Sequence, residues 1–355
     1  VLELAAAGFS APYAGLPLWA WAGFLGLVIV ILAVDLGLFH GEAHEPSFRE
    51  SAFLAGACMT LGAAFSGLVW WIYASGYATS LDPAIANAPT AAAKGRHAAE
   101  LYLTGWVVEQ TLAFDNIFVM SMIFTYFAIP PKYQHRVLFY GILGVIVLRA
   151  VLIGVGAALV HEFEWVLYLF ALFLVATGIK MLIVADQKPD IEANPLLKWM
   201  RRHMAITTDI DGEKFFVMRP DSKTGKLVRN ATPLFVALVL IEFADLIFAV
   251  DSVPAVLAIT QDPFIVYTSN IFAILGLRAL YVVLSAFVAR FHYLKYALAL
   301  VLVTIGVKIL AQPLTGKIPP SVSLLVTVGI LVGGIVASLA FTRDKAAPPA
   351  PARSD

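Results

Sequence analysis

Two acidic stretches in this chain have the residue types to hold a cation. Residues 240–254 read Leu-Ile-Glu-Phe-Ala-Asp-Leu-Ile-Phe-Ala-Val-Asp-Ser-Val-Pro, apolar enough for a membrane yet carrying Glu242, Asp245 and Asp251. A carboxylate at the bilayer centre costs ~2.5–3.5 kcal/mol even on the insertion scale. Three of them in one apolar stretch must face protein and hold something positive. The pattern also occurs earlier, in Glu109-Gln-Thr-Leu-Ala-Phe-Asp115-Asn116. With the Asn116 amide and the Ser252 hydroxyl, the donors are all hard oxygens. No cysteine lies near. Such a set suits Mg²⁺, Ca²⁺ or Mn²⁺ in six-fold geometry and argues against Zn²⁺ or Cu⁺.

Spacing refines this. Glu242 and Asp245, three apart, share a helix face. Asp245 and Asp251, six apart, diverge by about 120°. Pro254 is expected to kink or unwind the helix near Asp251 and to free a backbone carbonyl as a further ligand. The competing reading is that the acids only pair with Arg149 and Arg278, both near mid-helix. Five acids outnumber two arginines, so ion binding is favoured. Asp35, in the inner third of the first span, is placed in the same cavity. His40 and His44, on the loop that follows, form a weaker metal pair.

These residues need a membrane scaffold. The chain is 60% hydrophobic and 14% charged, with a mean hydropathy of +0.85. Soluble domains run ~45–50% apolar and ~25% charged. Apolar runs long enough to span fall at 19–39, 51–75, 101–128, 137–160, 163–184, 232–257, 263–289, 293–312 and 322–341. The fold class is therefore an all-α polytopic membrane protein of about nine helices. Trp19, Trp21, Trp70, Trp71, Trp106 and Trp165 lie near run ends, where headgroups favour them. With the N-terminus outside, 17 Lys and Arg fall on the inner side and 3 on the outer. The expected topology is N-out and C-in. Residues 185–231 form the one long loop, on the inner side, with a small β-hairpin expected around 215–229. Asp209-Ile-Asp211-Gly-Glu213 before it reads as solvated rather than as a calcium loop. Zero net charge suggests no nucleic-acid partner. The lone Cys58 permits no intramolecular disulfide. No basic segment precedes the first run, so no cleavable leader is expected. No nucleophile–base pair or HExxH motif marks an enzyme.

The chain also repeats. Aligning 113–116 with 249–252 places Glu109 on Asp245; Leu148-Arg149-Ala150 then matches Leu277-Arg278-Ala279. Tyr168–Lys180 matches Tyr296–Lys308 with seven identities in thirteen positions. Three helices per copy is an odd number, so the second copy runs upside down, an arrangement found in transporters. Asp115 and Asp251 should then meet near the midplane. The organisation reads as 1–100 (two helices and an outer loop), 101–184 (first repeat), 185–231 (inner loop), 232–312 (second repeat), 313–341 (ninth helix) and 342–355 (disordered tail).

The stretches 241–255 and 260–281, with Phe114-Asp115-Asn116, resemble the signature of the TerC/Alx family of bacterial membrane proteins, within the LysE-type transporter group. The resemblance runs from about Asp35 to about Phe341. It implies Mn²⁺ efflux and a metal site at Glu109, Asp115, Asn116, Glu242, Asp245, Asp251 and Ser252. The expectation is a Mn²⁺ exporter of the bacterial cytoplasmic (inner) membrane, with a divalent ion and membrane lipid as partners. Packed like charges should keep protons in the empty site, and metal binding should release them. The alternatives are another cargo, such as Ca²⁺ or a role in tellurium resistance, and a membrane scaffold or regulatory protein.

Overall fold

The computed structural model describes the backbone of residues 12–39, 47–80, 82–163, 165–184, 191–220, 227–285, 293–316 and 318–341. The helices are α1 Leu18–Phe39, α2 Phe48–Ala74, α3 Pro83–Ala86, α4 Ala91–Tyr126, α5 Pro131–Glu162, α6 Trp165–Val184, α7 Pro195–His203, α8 Pro233–Ile259, α9 Pro263–Leu275, α10 Leu277–Ser285, α11 Leu294–Thr315 and α12 Pro320–Phe341. Two antiparallel strand pairs complete it: β1 Pro12–Tyr13 with β2 Leu16–Pro17, and β3 Phe216–Pro220 with β4 Leu227–Ala231.

Among the described residues, seven helices are long and apolar enough to cross a membrane, or eight if the bent α9–α10 pair is one span. The apolar part of α1, Leu18–Val34, is shorter. Proline sits in the first turn of α3, α5, α7, α8 and α9, where its missing N–H is not needed. Side-chain caps at Ser47, Asp82, Thr90, Asn194 and Asp262 bind free backbone amides at the starts of α2, α3, α4, α7 and α9.

Three expectations change. Helix α4 begins at Ala91, ahead of the apolar run, because the alanine-rich 91–100 continues the helix although too polar for lipid. Trp106 is consequently buried at mid-helix against Gly62 and does not mark a membrane surface. Helix α8 runs through Pro254 without unwinding. The broken helix is the neighbouring one: α9 and α10 meet at Gly276 with a 45° bend. Glycine is a common cause of such kinks.

The acidic helices α4 and α8 pack on each other at the centre. Helix α5 lies against α8, α9 lies against α4, and α6 crosses α11. The last crossing is reciprocal. A Cβ added at Gly178 would sit 2.7 Å from the Ala299 carbonyl oxygen, and one at Gly306 would sit 2.5 Å from that of Ala171. Each helix thus lays its glycine on the backbone of the other, at positions the sequence alignment pairs.

The bundle has two polar faces. On one, Arg136 bonds Glu213 (3.0 Å), Arg201 bonds the Tyr126 hydroxyl (3.0 Å), and the β3–β4 hairpin begins one residue later than expected. The acids of 209–213 pair with bases there: Asp209 with Arg219, Asp211 with Lys214, Glu213 with Arg136. On the other, the Asp262 carboxylate accepts from Tyr73 (2.7 Å) and Ser80 (2.5 Å), and Asp82 accepts from Thr260 (2.7 Å).

Candidate functional site

Midway between these faces, α4, α5, α8 and α9 bring their polar residues together. Glu109 and Asn116 come from α4, Arg149 from α5, Asp245 and Ser252 from α8, and Asn270 from α9. None is more than 4% exposed. Lipid offers these side chains no hydrogen-bond partner, and each is met by a residue of a neighbouring helix.

Arg149 is the hub. Its Nη1 contacts Glu109 Oε2 and lies 3.1 Å from Asn270 Oδ1 and 3.3 Å from Ser252 Oγ. Nη2 donates to Asp245 Oδ1 at 3.1 Å, with Nε 3.4 Å from Oδ2. Asn270 Nδ2 donates to Glu109 Oε1 (2.7 Å), and Asn116 Nδ2 to Asp245 Oδ1 (2.9 Å). Both carboxylates are thereby bound on two sides.

Two oxygens here, Asn116 Oδ1 and Glu242 Oε2, are buried and accept no hydrogen bond from the described residues. Glu242 precedes Asp245 by three residues, and its carboxylate lies against Gly144 of α5, where any Cβ would overlap it. A side chain there would push the carboxylate out of its present position. Two carboxylates therefore share one guanidinium, and a third, Glu242, stands one turn away from Asp245 on α8. Buried acceptors are normally paired.

The other expected site residues stand apart or lie outside the described side chains. Asp251 is half-buried and accepts from Thr177 of α6 at 3.1 Å, with Lys180 near enough to attract it. It is not among the partners of Arg149. The side chains of Asp115 and Asp35, and residues His40 and His44, lie outside the described residues, so the meeting of Asp115 with Asp251 does too. Among the described residues no group of three or more His, Cys, Asp or Glu is gathered to hold a metal. A cation here would draw on amide and hydroxyl oxygens as well. The sequence reading missed Asn270, Thr177 and Gly144. Asn270 alone left a signal, as an amide inside an apolar span.

The chain matches the integral membrane protein TerC family over residues 94–346. It is 44% identical over 320 residues to the "Putative membrane-bound redox modulator Alx" of Escherichia coli K12, covering 90% of this chain and 93% of that protein. The Salmonella typhi protein of the same name is 43% identical over 323 residues, covering 89% of this chain and 92% of its own. A membrane protein of Rickettsia felis is 43% identical over 320 residues, covering 90% and 97%. No solved structure matches. A family match over more than two-thirds of the chain, and relatives of this identity over nine-tenths of it, carry one conclusion: the chain belongs to the TerC family of integral membrane proteins.

Proposed function

We propose that this protein is a carrier that exports Mn²⁺ across the bacterial cytoplasmic membrane in exchange for protons, with its N-terminus outside and its C-terminus inside. The observation that carries the reading is the excess of buried carboxylate over buried cation, with acceptor oxygens on Asn116 and Glu242 left open. Glu109, Asp245, Asn116 and Ser252 supply hard oxygens from two helices, a donor set for Mn²⁺, Mg²⁺ or Ca²⁺, with Glu242 beside them on α8. Asp251 lies about 9 Å further along α8, at 1.5 Å per residue. We place it next on the ion's path, with Asp115 as its counterpart in the other half.

The two halves are read as inverted copies. The reciprocal glycine contacts of α6 and α11, and the mirrored packing of α5 on α8 and α9 on α4, support this. Export of a divalent ion against 100 mV requires roughly 4.6 kcal/mol, from ~2.3 per charge, before any concentration term. A passive pore would leak inward, so the carrier must couple to another ion. The bacterial relatives are called redox modulators. The only cysteine is Cys58, so no dithiol–disulfide couple forms within one chain, and ion transport is favoured.

Purified protein in liposomes, loaded with a panel of divalent cations, tests the proposal. Uptake selective for Mn²⁺ with counterflow of protons is the expected result. Selectivity for Ca²⁺ would change the cargo, and no transport of any divalent ion would favour a scaffold or regulatory role.

A further inference from the structure

The oxygens a divalent ion would need at this site are engaged by the protein's own cation. The guanidinium of Arg149 meets Glu109 Oε2, both oxygens of Asp245, Ser252 Oγ and Asn270 Oδ1. Five oxygens from three helices around one positive group are the surroundings of a hard metal ion, here filled by a side chain. Four of the five contacts are 3.1–3.4 Å long, toward the loose end for charge-assisted bonds. A structural ion pair would need only one carboxylate; this arginine takes two.

Resting on the reading of the site as a cation carrier, we propose that Arg149 is the resident counter-cation of the empty site and must give up Glu109 and Asp245 when the metal binds. Two cations cannot share these carboxylates at such distances in a low dielectric. Glu242 provides the alternative seat. It lies one turn from Asp245 on α8, its Oε2 accepts no hydrogen bond from the described residues, and it rests on Gly144 of the helix that carries Arg149. An arginine moving from Asp245 to Glu242 satisfies that oxygen and leaves the deeper acids to the ion. When the ion departs, the guanidinium returns, so the empty carrier never exposes bare charge to the lipid. Arg149 thus sets how tightly the ion is held and how readily it is released.

The test is a split between binding and turnover, using full-length protein with Mn²⁺ as probe. Calorimetry gives Kd in detergent, and liposome uptake gives the rate. In Arg149→Met the competing cation is gone, so Kd should fall at least tenfold while the transport rate also falls at least tenfold. Thermal unfolding of that variant should be strongly protected by Mn²⁺, the wild type only weakly. Arg149→Lys, which keeps the charge but cannot bridge both acids, should shift in the same directions by less, and serves if Arg149→Met does not fold. Glu242→Gln should raise Kd, and the double variant Arg149→Met/Glu242→Gln should bind as tightly as Arg149→Met alone. Unchanged or weaker Mn²⁺ binding in both Arg149 variants, beside a wild type that transports, overturns the inference and leaves the carrier reading standing. A double variant as weak as Glu242→Gln assigns Glu242 to the metal directly and overturns the exchange. A wild type that neither binds nor moves divalent cations refutes the carrier reading, and the inference with it.

Discussion

Two aspartates on α8 do different work, although the chain gives them in similar company. Asp245 is 1% exposed and held by Arg149 and Asn116, whereas Asp251 is half-buried beside Thr177. Ligand charge tunes the affinity of an oxygen site. Asp245→Asn should therefore weaken Mn²⁺ binding by roughly tenfold or more and abolish transport. Asp251→Asn should also abolish transport but leave calorimetric binding within about threefold, because the inner site keeps its ligands. Equal loss of binding in both variants would place the two aspartates on one ion and contradict the path drawn here.

At the scale of elements, two devices set where these residues stand. The first is the α6–α11 crossing. Overpacking typically costs about 1–3 kcal/mol, so Gly178→Leu and Gly306→Leu should each lower thermal stability by similar amounts. Gly329→Leu on α12, where added atoms meet nothing within 4 Å, is the neutral control. The second is the turn between α8 and α9. Asp262 caps α9 through the Phe264 and Ile265 amides and accepts from Tyr73 and Ser80. Burial pushes its carboxyl above the ordinary range, opposed by bonds from Ser80, Tyr73 and the Ile265 amide. An acid whose folded value is raised contributes stability that is full below its unfolded value, ~3.9, and is lost as pH rises through the folded one. Asp262→Asn should flatten that part of the stability–pH curve while keeping most of the cap. Asp262→Ala should cost about 1 kcal/mol for the lost cap, and more for the Tyr73 and Ser80 bonds. Detergent unfolding curves between pH 4 and 8 measure both.

For the whole molecule, the two polar faces give the topology. The Arg136–Glu213 and Arg201–Tyr126 bonds put residues 126–136 on the same face as the β3–β4 hairpin. Ser80, Asp82 and residues 260–262 lie on the other, joined by the Thr260–Asp82 and Ser80–Asp262 bonds. Thr90 caps α4 on that second face. A cysteine at Thr90 and another at Met218, each in a chain lacking Cys58, should be labelled from opposite sides of intact cells: Thr90 from outside, Met218 only after permeabilisation. Labelling of both from one side would break the span assignment and the inverted halves together.

The membrane class, the approximate positions of the long apolar helices and the acids Glu109 and Asp245 of the buried cluster were legible in the sequence. Apolar runs must become helices in lipid, where every backbone amide has to be satisfied within the segment, and a carboxylate in such a run cannot face lipid. Pairing was not legible. Arg149, Glu109 and Asp245 lie on three separate helices, and Asn270 joins them from a fourth, so only packing decides that one arginine serves both acids. Nor did Gly144 reveal itself as the seat of Glu242, since a glycine in an apolar helix has many uses. Pro254 and Gly276 show the same limit for the backbone. Local chemistry nominated the proline as the break, but α8 continues as one helix through it, while the 45° bend falls at Gly276, packed against Cys58.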